Sequence, residues 1–165
     1  SNKSRANLEA VKMDKTNEKY NAYIQILKEE LIPAMGCTEP IALAYAAAVA
    51  RKVLGQLPER VDIGASGSII KNVKSVIVPN TDHLKGIPAA ATAGIIAGDP
   101  DKELEVIASV TKEQVEEMKE FLKKTPISVE HVDNGLTFDI IVTLYKGDEY
   151  AKVRIANYQI GRAHV

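Results

Sequence analysis

The chain has one cysteine among its 165 residues, three histidines and no tryptophan. A single thiol cannot close a disulfide within the chain, which excludes a disulfide-stapled scaffold. One cysteine and three scattered histidines also match no recognised zinc ligand pattern. No apolar run is long enough to span a bilayer, and the first residues lack the apolar core of a signal peptide. We therefore expect a soluble protein in a reducing cytoplasm.

Strong net charge is absent as well. The chain carries 21 basic and 22 acidic residues, for a net charge of -1, so electrostatics give no reason to expect nucleic acid or an anionic membrane as partner. The glycines between Gly64 and Ser68 have neither the Walker spacing nor the full dinucleotide fingerprint, which argues against a nucleotide site. Hydrophobic residues make up 45% of the chain, enough for the core of one ordinary domain.

The single cysteine, Cys37, stands just before a run of small residues that predicts a helix from Glu39 to Leu54. Thr38 can serve as its N-cap, and Pro40 fits the first turn. The unpaired N–H groups and the dipole at a helix start favour a thiolate over a thiol, which would make Cys37 reactive. On spacing alone, a buried and inert cysteine is the better explanation, because free cysteine is among the most buried residue types.

Apolar periodicity predicts an α+β fold, with helices packed on one face of a small, mainly antiparallel sheet. From Pro126 onward the period is two, and Asp133-Asn134-Gly135 is a hairpin signal, so the last three strands are predicted to form an antiparallel meander. The predicted helices are 17–31, 39–54, a short one from 68, 87–97, 101–110 and 112–124. The predicted strands are 60–63, 76–79, 127–131, 136–145 and 150–156.

One helix boundary has a specific capping signal. Thr111 and Gln114 have the spacing of a capping box, in which each side chain bonds the backbone N–H of the other residue. In the helix that follows, Val115, Met118 and Leu122 are predicted to form the core face.

Two motifs together resemble one protein family. The first is Gly36-Cys37-Thr38-Glu39-Pro40 with the Ala-rich helix behind it, and the second is the segment from Ser66 to Thr81 with the glycines and alanines of 86–99. Both are similar to the L-cysteine desulfidases, which are related to the iron-sulfur-dependent L-serine dehydratase alpha chain. The resemblance extends from about Tyr20 to Tyr158.

The resemblance implies a lyase that converts L-cysteine to pyruvate, ammonia and sulfide by β-elimination, with L-serine dehydration as the nearest alternative. It also implies a 4Fe-4S cluster, with Cys37 as one metal ligand and the remaining ligands outside this chain, because a single thiolate cannot hold a cluster. The small amino-acid substrate and the missing carboxyl-terminal part of the same protein are then the expected partners. Alone, the chain is expected to be inactive.

The ends of the chain look foreign to this domain. Residues 1–12 are polar without clear periodicity, and we interpret them as an extension that precedes a natural start at Met13. Residues 160–165 can be written in codons as ATC GGA AGA GCA CAC GTC, which resembles a sequencing adapter, so 159–165 are interpreted as an artefactual tail. Residues 13–158 are then the amino-terminal part of a desulfidase-like or serine dehydratase-like enzyme.

Candidate site residues follow from the resemblance and from residue type. Glu39, Lys71 and His83 are candidate catalytic residues, because they carry acid, base or cationic groups. Helix-start preference explains Glu39 at least as well, and a solvated histidine is the ordinary explanation of His83. Hydroxyl, amide and backbone N–H donors of the second motif suit a substrate carboxylate, although turn and capping roles explain them equally well. These candidate substrate-binding residues are Ser66, Ser68, Asn72, Asn80 and Thr81.

An alternative from another class is a non-catalytic module that binds a small ligand or forms a homo-oligomer without any cluster. The pattern of helices and strands between Tyr20 and Ala156 is nearly complete and could close a core unaided. In the isolated chain, the Ala-rich helix is expected to be the weak point, because Ala46, Ala47 and Ala48 predict close packing against a segment that the chain lacks.

Overall fold

The computed structural model describes residues 5–14, 26–31 and 39–157. The sequence predictions that lie outside these residues are the site at Cys37, the N-cap at Thr38, the first part of the helix 17–31 and the tail 159–165. Among the described residues, no helix combines the length and hydropathy needed to cross a membrane.

Six strands of the described residues form one mixed sheet, and its order differs from the order in sequence. The neighbours run β2-β1-β6-β5-β3-β4, and every pair is antiparallel except β3 with β4. The strands are β1 (Arg5–Asp14), β2 (Ile26–Leu31), β3 (Arg60–Ala65), β4 (Ile127–His131), β5 (Asp139–Lys146) and β6 (Glu149–Ala156).

The helices pack against one face of this sheet, which confirms the predicted α+β class. Alternate residues of β3 and β5, such as Ile63 and Val142, are fully buried, whereas Gly64 and Ile141 on the opposite face are only half-buried. One buried face per strand is the pattern of a sheet covered on one side. The helices are α1 (Glu39–Leu54), α2 (Gly67–Val73), α3 (Gly86–Ala97), a 3₁₀ helix (Pro100–Glu105) and α4 (Lys112–Lys124).

Small residues let α1 and α3 pack almost backbone to backbone. A β-carbon added at Gly94 would overlap the carbonyl oxygen of Ala44, and one added at Gly98 would lie 2.7 Å from the Ala48 Cβ. The middle of α1 is fully buried by α3 and the sheet. The prediction that this helix packs against a segment missing from the chain is therefore wrong, because α3 supplies that surface.

Several helix boundaries agree with the sequence. The helix α1 has the predicted bounds, and the residue after it, Gly55, has a φ of 80°, the left-handed conformation that ends many helices. Thr111 Oγ1 accepts a hydrogen bond from the Gln114 backbone at 3.1 Å, and Gln114 Oε1 accepts one from the Thr111 backbone at 2.9 Å, so the capping box is confirmed. On the core face of α4, Val115 and Met118 are buried as predicted. The third buried residue is Phe121 rather than the predicted Leu122.

The predicted meander is correct for β5 and β6, which pair antiparallel, but wrong for β4. Strand β4 pairs in parallel with β3 and is not adjacent to β5, so the turn at 133–135 carries the chain past β3 rather than closing a hairpin. The Ser128 hydroxyl also donates to Asp62 Oδ1 at 2.8 Å across the β3–β4 pair. An apolar period of two predicts that a segment is a strand, but it does not predict which strand pairs with it. Strand β3, whose apolar face is buried, has a neighbouring strand on each of its two edges.

The interpretation of the residues before Met13 as an extension outside the domain does not hold for the described residues 5–12. The natural start at Met13 stays a prediction. Strand β1 pairs with β6 from Asn7 opposite Ala156 to Asp14 opposite Glu149, and Leu8 is buried. Residues 5–12 are thus part of the sheet. Its other neighbour, β2, occupies 26–31, so the predicted helix 17–31 is a strand in its last part, and its first part lies outside the described residues. Backbone pairing with β1 overrides the helical stripe here.

Two further segments differ from prediction. The helix predicted over 101–110 is a short 3₁₀ helix, interrupted at Glu103, where φ is 53°. The extended piece predicted over 76–79 is reduced to one isolated bridge between Ile77 and Lys85.

A buried hydroxyl in α3 gives a stability prediction. Thr92 is fully buried, and its Oγ1 has no hydrogen-bond partner among the described residues. We expect Thr92→Val to raise the free energy of unfolding by about 1 kcal/mol in urea denaturation, because valine has the same shape without the unpaired polar group. The matched control is Thr81→Val: the buried Thr81 Oγ1 donates to the Val78 carbonyl at 2.7 Å, so stability should fall. Equal changes in both variants would contradict this assignment.

Candidate functional site

The start of α1 brings the two sequence motifs into contact. Glu39 is the first residue of α1 and is only 6% exposed. Its Oε1 accepts a hydrogen bond from Asn72 Nδ2 of α2 at 3.1 Å, although the two residues are 33 positions apart in sequence. The predicted catalytic candidate Glu39 and the predicted binding residue Asn72 therefore lie together.

The second carboxylate oxygen of Glu39 is the unusual feature of this contact. Oε2 is buried and accepts no hydrogen bond from the described residues. Burial raises the pKa of Glu39 above its ordinary value of 4.5, and the Asn72 hydrogen bond offsets part of that rise. One of the two carboxylate oxygens thus has a donor that stabilises the charged form, and the other has none among the described residues.

Ser66 and Ser68 are used within the fold. Both hydroxyls donate to the carbonyl oxygen of Thr137, at 2.9 Å for Ser66. Ser66 Oγ also accepts a hydrogen bond from the Asp139 backbone at 3.2 Å. The two serines therefore join the start of α2 to the segment that leads into β5, a structural role that the sequence left open.

Asn80 and Thr81 stabilise the loop between α2 and α3. Asn80 has a φ of 63°, and its Nδ2 donates to the Ile107 carbonyl at 3.0 Å. Thr81 donates within the loop, to the Val78 carbonyl. Within the described residues, no hydrogen bond links either residue to Glu39 or Asn72, so the predicted set of five binding residues is not gathered into one cluster of contacts.

The other two catalytic candidates are on the surface. Lys71 is an exposed residue of α2, next in sequence to Asn72. The His83 side chain is 82% exposed, and its Nδ1 lies 3.8 Å from Asp82 Oδ1. Neither is enclosed as an acid or base of a water-excluding site would be.

A buried ion pair behind the serines was missed by the sequence analysis. Asp139 is 1% exposed and accepts two hydrogen bonds from Arg154, Nε to Oδ1 at 2.9 Å and Nη2 to Oδ2 at 2.8 Å. Asn134 Nδ2 donates to Oδ2 as well, at 2.8 Å. Pairing of β5 with β6 places these side chains together, and an antiparallel register between the two predicted strands could have revealed them.

The uncovered face of the sheet holds a polar cavity of about 470 Å³. Arg60 stacks on the Tyr145 ring at 3.7 Å and pairs with Asp62 at 3.1 Å. Burial raises the pKa of Tyr145, and its hydrogen bond to Asp62 raises it further. Lys152 and Glu130 add one charge of each sign, so the cavity carries a balanced set of charges.

Across the part of the chain that the structure describes, no three His, Cys, Asp or Glu side chains group in a way that would hold a metal ion. The only thiol, Cys37, lies outside the described residues, two positions before the buried Glu39. In sequence, this thiol precedes by two positions a carboxylate with an unused oxygen, which fits a site that further groups complete.

Similar proteins are found in several organisms. The chain is 53% identical over 153 residues to a protein of Desulfitobacterium hafniense and 49% identical over 131 residues to one of Treponema denticola. A protein of Lachnoclostridium phytofermentans is 45% identical over 146 residues. Its relatives are UPF0597 proteins. No protein-family model matches the chain.

The matches cover most of this chain but a minor part of each UPF0597 relative. They include 93%, 79% and 88% of the chain, and 36%, 30% and 35% of the three relatives in the same order. The chain thus spans about a third of the length of the UPF0597 proteins it matches. Their names state no substrate, cofactor or reaction.

The raised pKa of Glu39 gives a pH prediction. The raised pKa means that the folded state favours the protonated carboxyl group of Glu39. The stability that this group contributes is therefore complete at pH values below its ordinary pKa of 4.5, and it is lost as the pH rises through the higher pKa of the folded state. Glu39→Gln carries no charge at any pH. We therefore expect Glu39→Gln to be more stable than the natural chain at pH 7, with a difference that shrinks as pH falls toward 4.5. Guanidinium unfolding at several pH values measures this, and a constant difference would contradict it.

Proposed function

We propose that the chain is the amino-terminal part of an iron-sulfur-dependent lyase that converts L-cysteine to pyruvate, ammonia and sulfide. The observation that carries the proposal is the hydrogen bond between Glu39 and Asn72. It joins the Gly-Cys-Thr-Glu-Pro motif to the Ser66–Thr81 motif, and these two motifs are the ones that resemble the L-cysteine desulfidases.

The length of the relatives supports the same proposal. A 4Fe-4S cluster needs several thiolates, and this chain offers only Cys37. UPF0597 relatives are about three times as long as the region they share with this chain, so a protein of that length has room for the missing ligands. The proposed site is therefore formed by this chain together with a segment beyond it.

The chain's own residues would hold and orient the reactants. Cys37 would be one of the thiolates that hold the cluster, which when bound supplies a Lewis acid for the departing β-substituent. Glu39 and Asn72 provide a carboxylate and an amide at the positive end of α1. The tight packing of α1 on α3 would keep this end of the helix in a fixed position.

The proposed reaction balances with water as the only co-reactant. Removal of the α-proton forms the double bond as the C–S bond breaks, and sulfide departs with the electron pair of that bond. The resulting aminoacrylate tautomerises to an imine, and hydrolysis of the imine gives pyruvate and ammonia. L-Serine would follow the same course with water as the leaving group, so the choice between the two substrates depends on which leaving group the site accepts.

Anaerobic reconstitution of the full-length protein with iron and sulfide tests the proposal. We expect visible absorption of an iron-sulfur cluster, and loss of L-cysteine lyase activity in Cys37→Ala. The control is Ser109→Ala, an exposed position that should leave both unchanged. If the full-length protein shows no cluster absorption and Cys37→Ala keeps full lyase activity, the proposal is wrong. The non-catalytic ligand-binding or oligomerisation module would then be the better explanation.

A further inference from the structure

The unused oxygen of Glu39 indicates a ligand group. The side chain is buried, Oε1 has one neutral amide donor, and Oε2 has none among the described residues. No Lys, Arg or His of those residues forms an ion pair with it. A buried carboxylate oxygen without a donor is destabilising, and a cationic N–H donor removes that penalty most effectively.

The position of Glu39 favours a bound cation rather than a permanently neutral carboxyl. It is the first residue of a 16-residue helix, where the dipole stabilises negative charge. The hydrogen bond from Asn72 fixes Oε1 and leaves Oε2 as the free acceptor. Oε2 is thus the oxygen of this pair that lacks a donor among the described residues.

The chemistry of the missing donor can be narrowed. A hard divalent cation such as Ca²⁺ needs about six or more oxygen ligands, whereas the Glu39–Asn72 contact leaves one unused carboxylate oxygen among the described residues. An ammonium group, in contrast, carries three N–H donors and needs only one carboxylate oxygen for a charge-assisted bond.

We infer that Glu39, oriented by Asn72, binds the α-ammonium group of an amino-acid substrate through Oε2. This inference rests on the proposed function and adds the recognition of one particular group. It makes Glu39 a determinant of specificity: L-cysteine and L-serine share the ammonium group, whereas 3-mercaptopropionate keeps the thiol and carboxylate of L-cysteine and lacks only the amine.

Inhibition and steady-state kinetics of the full-length, cluster-loaded protein test the inference. In Glu39→Gln, we expect the KM for L-cysteine to rise about 10- to 100-fold, the effect of losing a hydrogen bond between charged groups. The inhibition constant of 3-mercaptopropionate should stay within about twofold, because that ligand has no ammonium group to lose. Asn72→Ala should shift the KM in the same direction by a smaller factor, since it removes only the orienting donor.

The matched control is Glu113→Gln. Glu113 also stands in the first turn of a helix, α4, but is exposed, so its replacement should change neither constant. Circular dichroism of each variant verifies folding. Asn72→Ala carries the test if Glu39→Gln does not fold.

Each outcome separates the inference from the proposed function. An unchanged KM for L-cysteine in Glu39→Gln, or an equal loss of affinity for L-cysteine and 3-mercaptopropionate, would overturn the inference. Lyase activity of the natural protein would still support the proposed function in that case. A fall in kcat alone would also overturn it, because Glu39 would then act on another group, such as Cys37. A natural protein that releases no sulfide and binds no amino acid would overturn both.

Discussion

Replacing Gly94 with alanine should lower the free energy of unfolding by about 3 kcal/mol, although alanine is intrinsically about 1 kcal/mol better than glycine within a helix. The added methyl group would overlap the carbonyl oxygen of Ala44, which belongs to the backbone of α1 and cannot rotate away. The helices α1 and α3 would have to separate, and the small residues that fill their interface would lose contact. Urea denaturation of the full chain, followed by circular dichroism, measures the change.

The control for Gly94→Ala is Gly67→Ala. Gly67 is the first residue of α2, and a β-carbon there would lie 3.2 Å from Nε2 of the exposed His131. Because that side chain can move, we expect a change within about 1 kcal/mol, toward greater stability. Equal stability of Gly94→Ala and Gly67→Ala would show that α1 and α3 are not in backbone contact.

Replacing Arg154 with methionine should destabilise the chain by about 2 to 3 kcal/mol. The Asp139 carboxylate is buried and receives both of its charged hydrogen bonds from Arg154. Methionine keeps much of the side-chain volume but leaves that carboxylate with the Asn134 amide as its remaining side-chain donor among the described residues. Breaking a fully buried ion pair by removing one partner costs about 3 to 5 kcal/mol, and we expect less here because 30% of the Arg154 side chain is exposed.

Lys52→Met is the matched control for Arg154→Met. Lys52 pairs with Asp101 at 3.2 Å, but the two side chains are 63% and 79% exposed. A pair so open to water contributes little, and we expect a change below about 1 kcal/mol. Equal destabilisation of the two variants in guanidinium unfolding would show that Asp139 does not depend on Arg154.

The helices that the sequence predicts correctly are those with local signals at their ends. Thr111 and Gln114 define the start of α4 by their own hydrogen bonds, and Gly55 ends α1 through its left-handed backbone. Such signals involve residues within one or two turns of each other. They can therefore be recognised without knowledge of the rest of the fold.

The sheet could not be derived in the same way, because its order depends on pairings between distant segments. Strand β1 has only a short alternation of its own, at Leu8 and Ala10, and the strand it pairs with, β6, lies more than 130 positions away. Once β1 is omitted, β2 has no partner, and its sequence then reads as a helix. The parallel pair of β3 and β4 likewise depends on a long crossover connection, which no turn motif in the sequence predicts.

The candidate site shows the same division. Sequence reasoning selects Glu39 and Asn72 from separate motifs, but their contact is a tertiary one, and the unused carboxylate oxygen becomes visible only through burial. It also selects Ser66 and Ser68, whose hydroxyls are already engaged with Thr137. Hydroxyl-rich segments suit ligand binding and loop fixation equally well, and only the observed partners distinguish the two.

The measurement that tests the central claim most directly is product release by the full-length protein under anaerobic conditions. Sulfide and ammonia are quantified separately with L-cysteine and with L-serine as substrate. The account predicts equal amounts of sulfide and ammonia from L-cysteine, with pyruvate in the same ratio, and slower ammonia release from L-serine. Ammonia from L-serine without sulfide from L-cysteine would identify a dehydratase instead, and release of neither product by the cluster-loaded protein would contradict the assignment of a lyase.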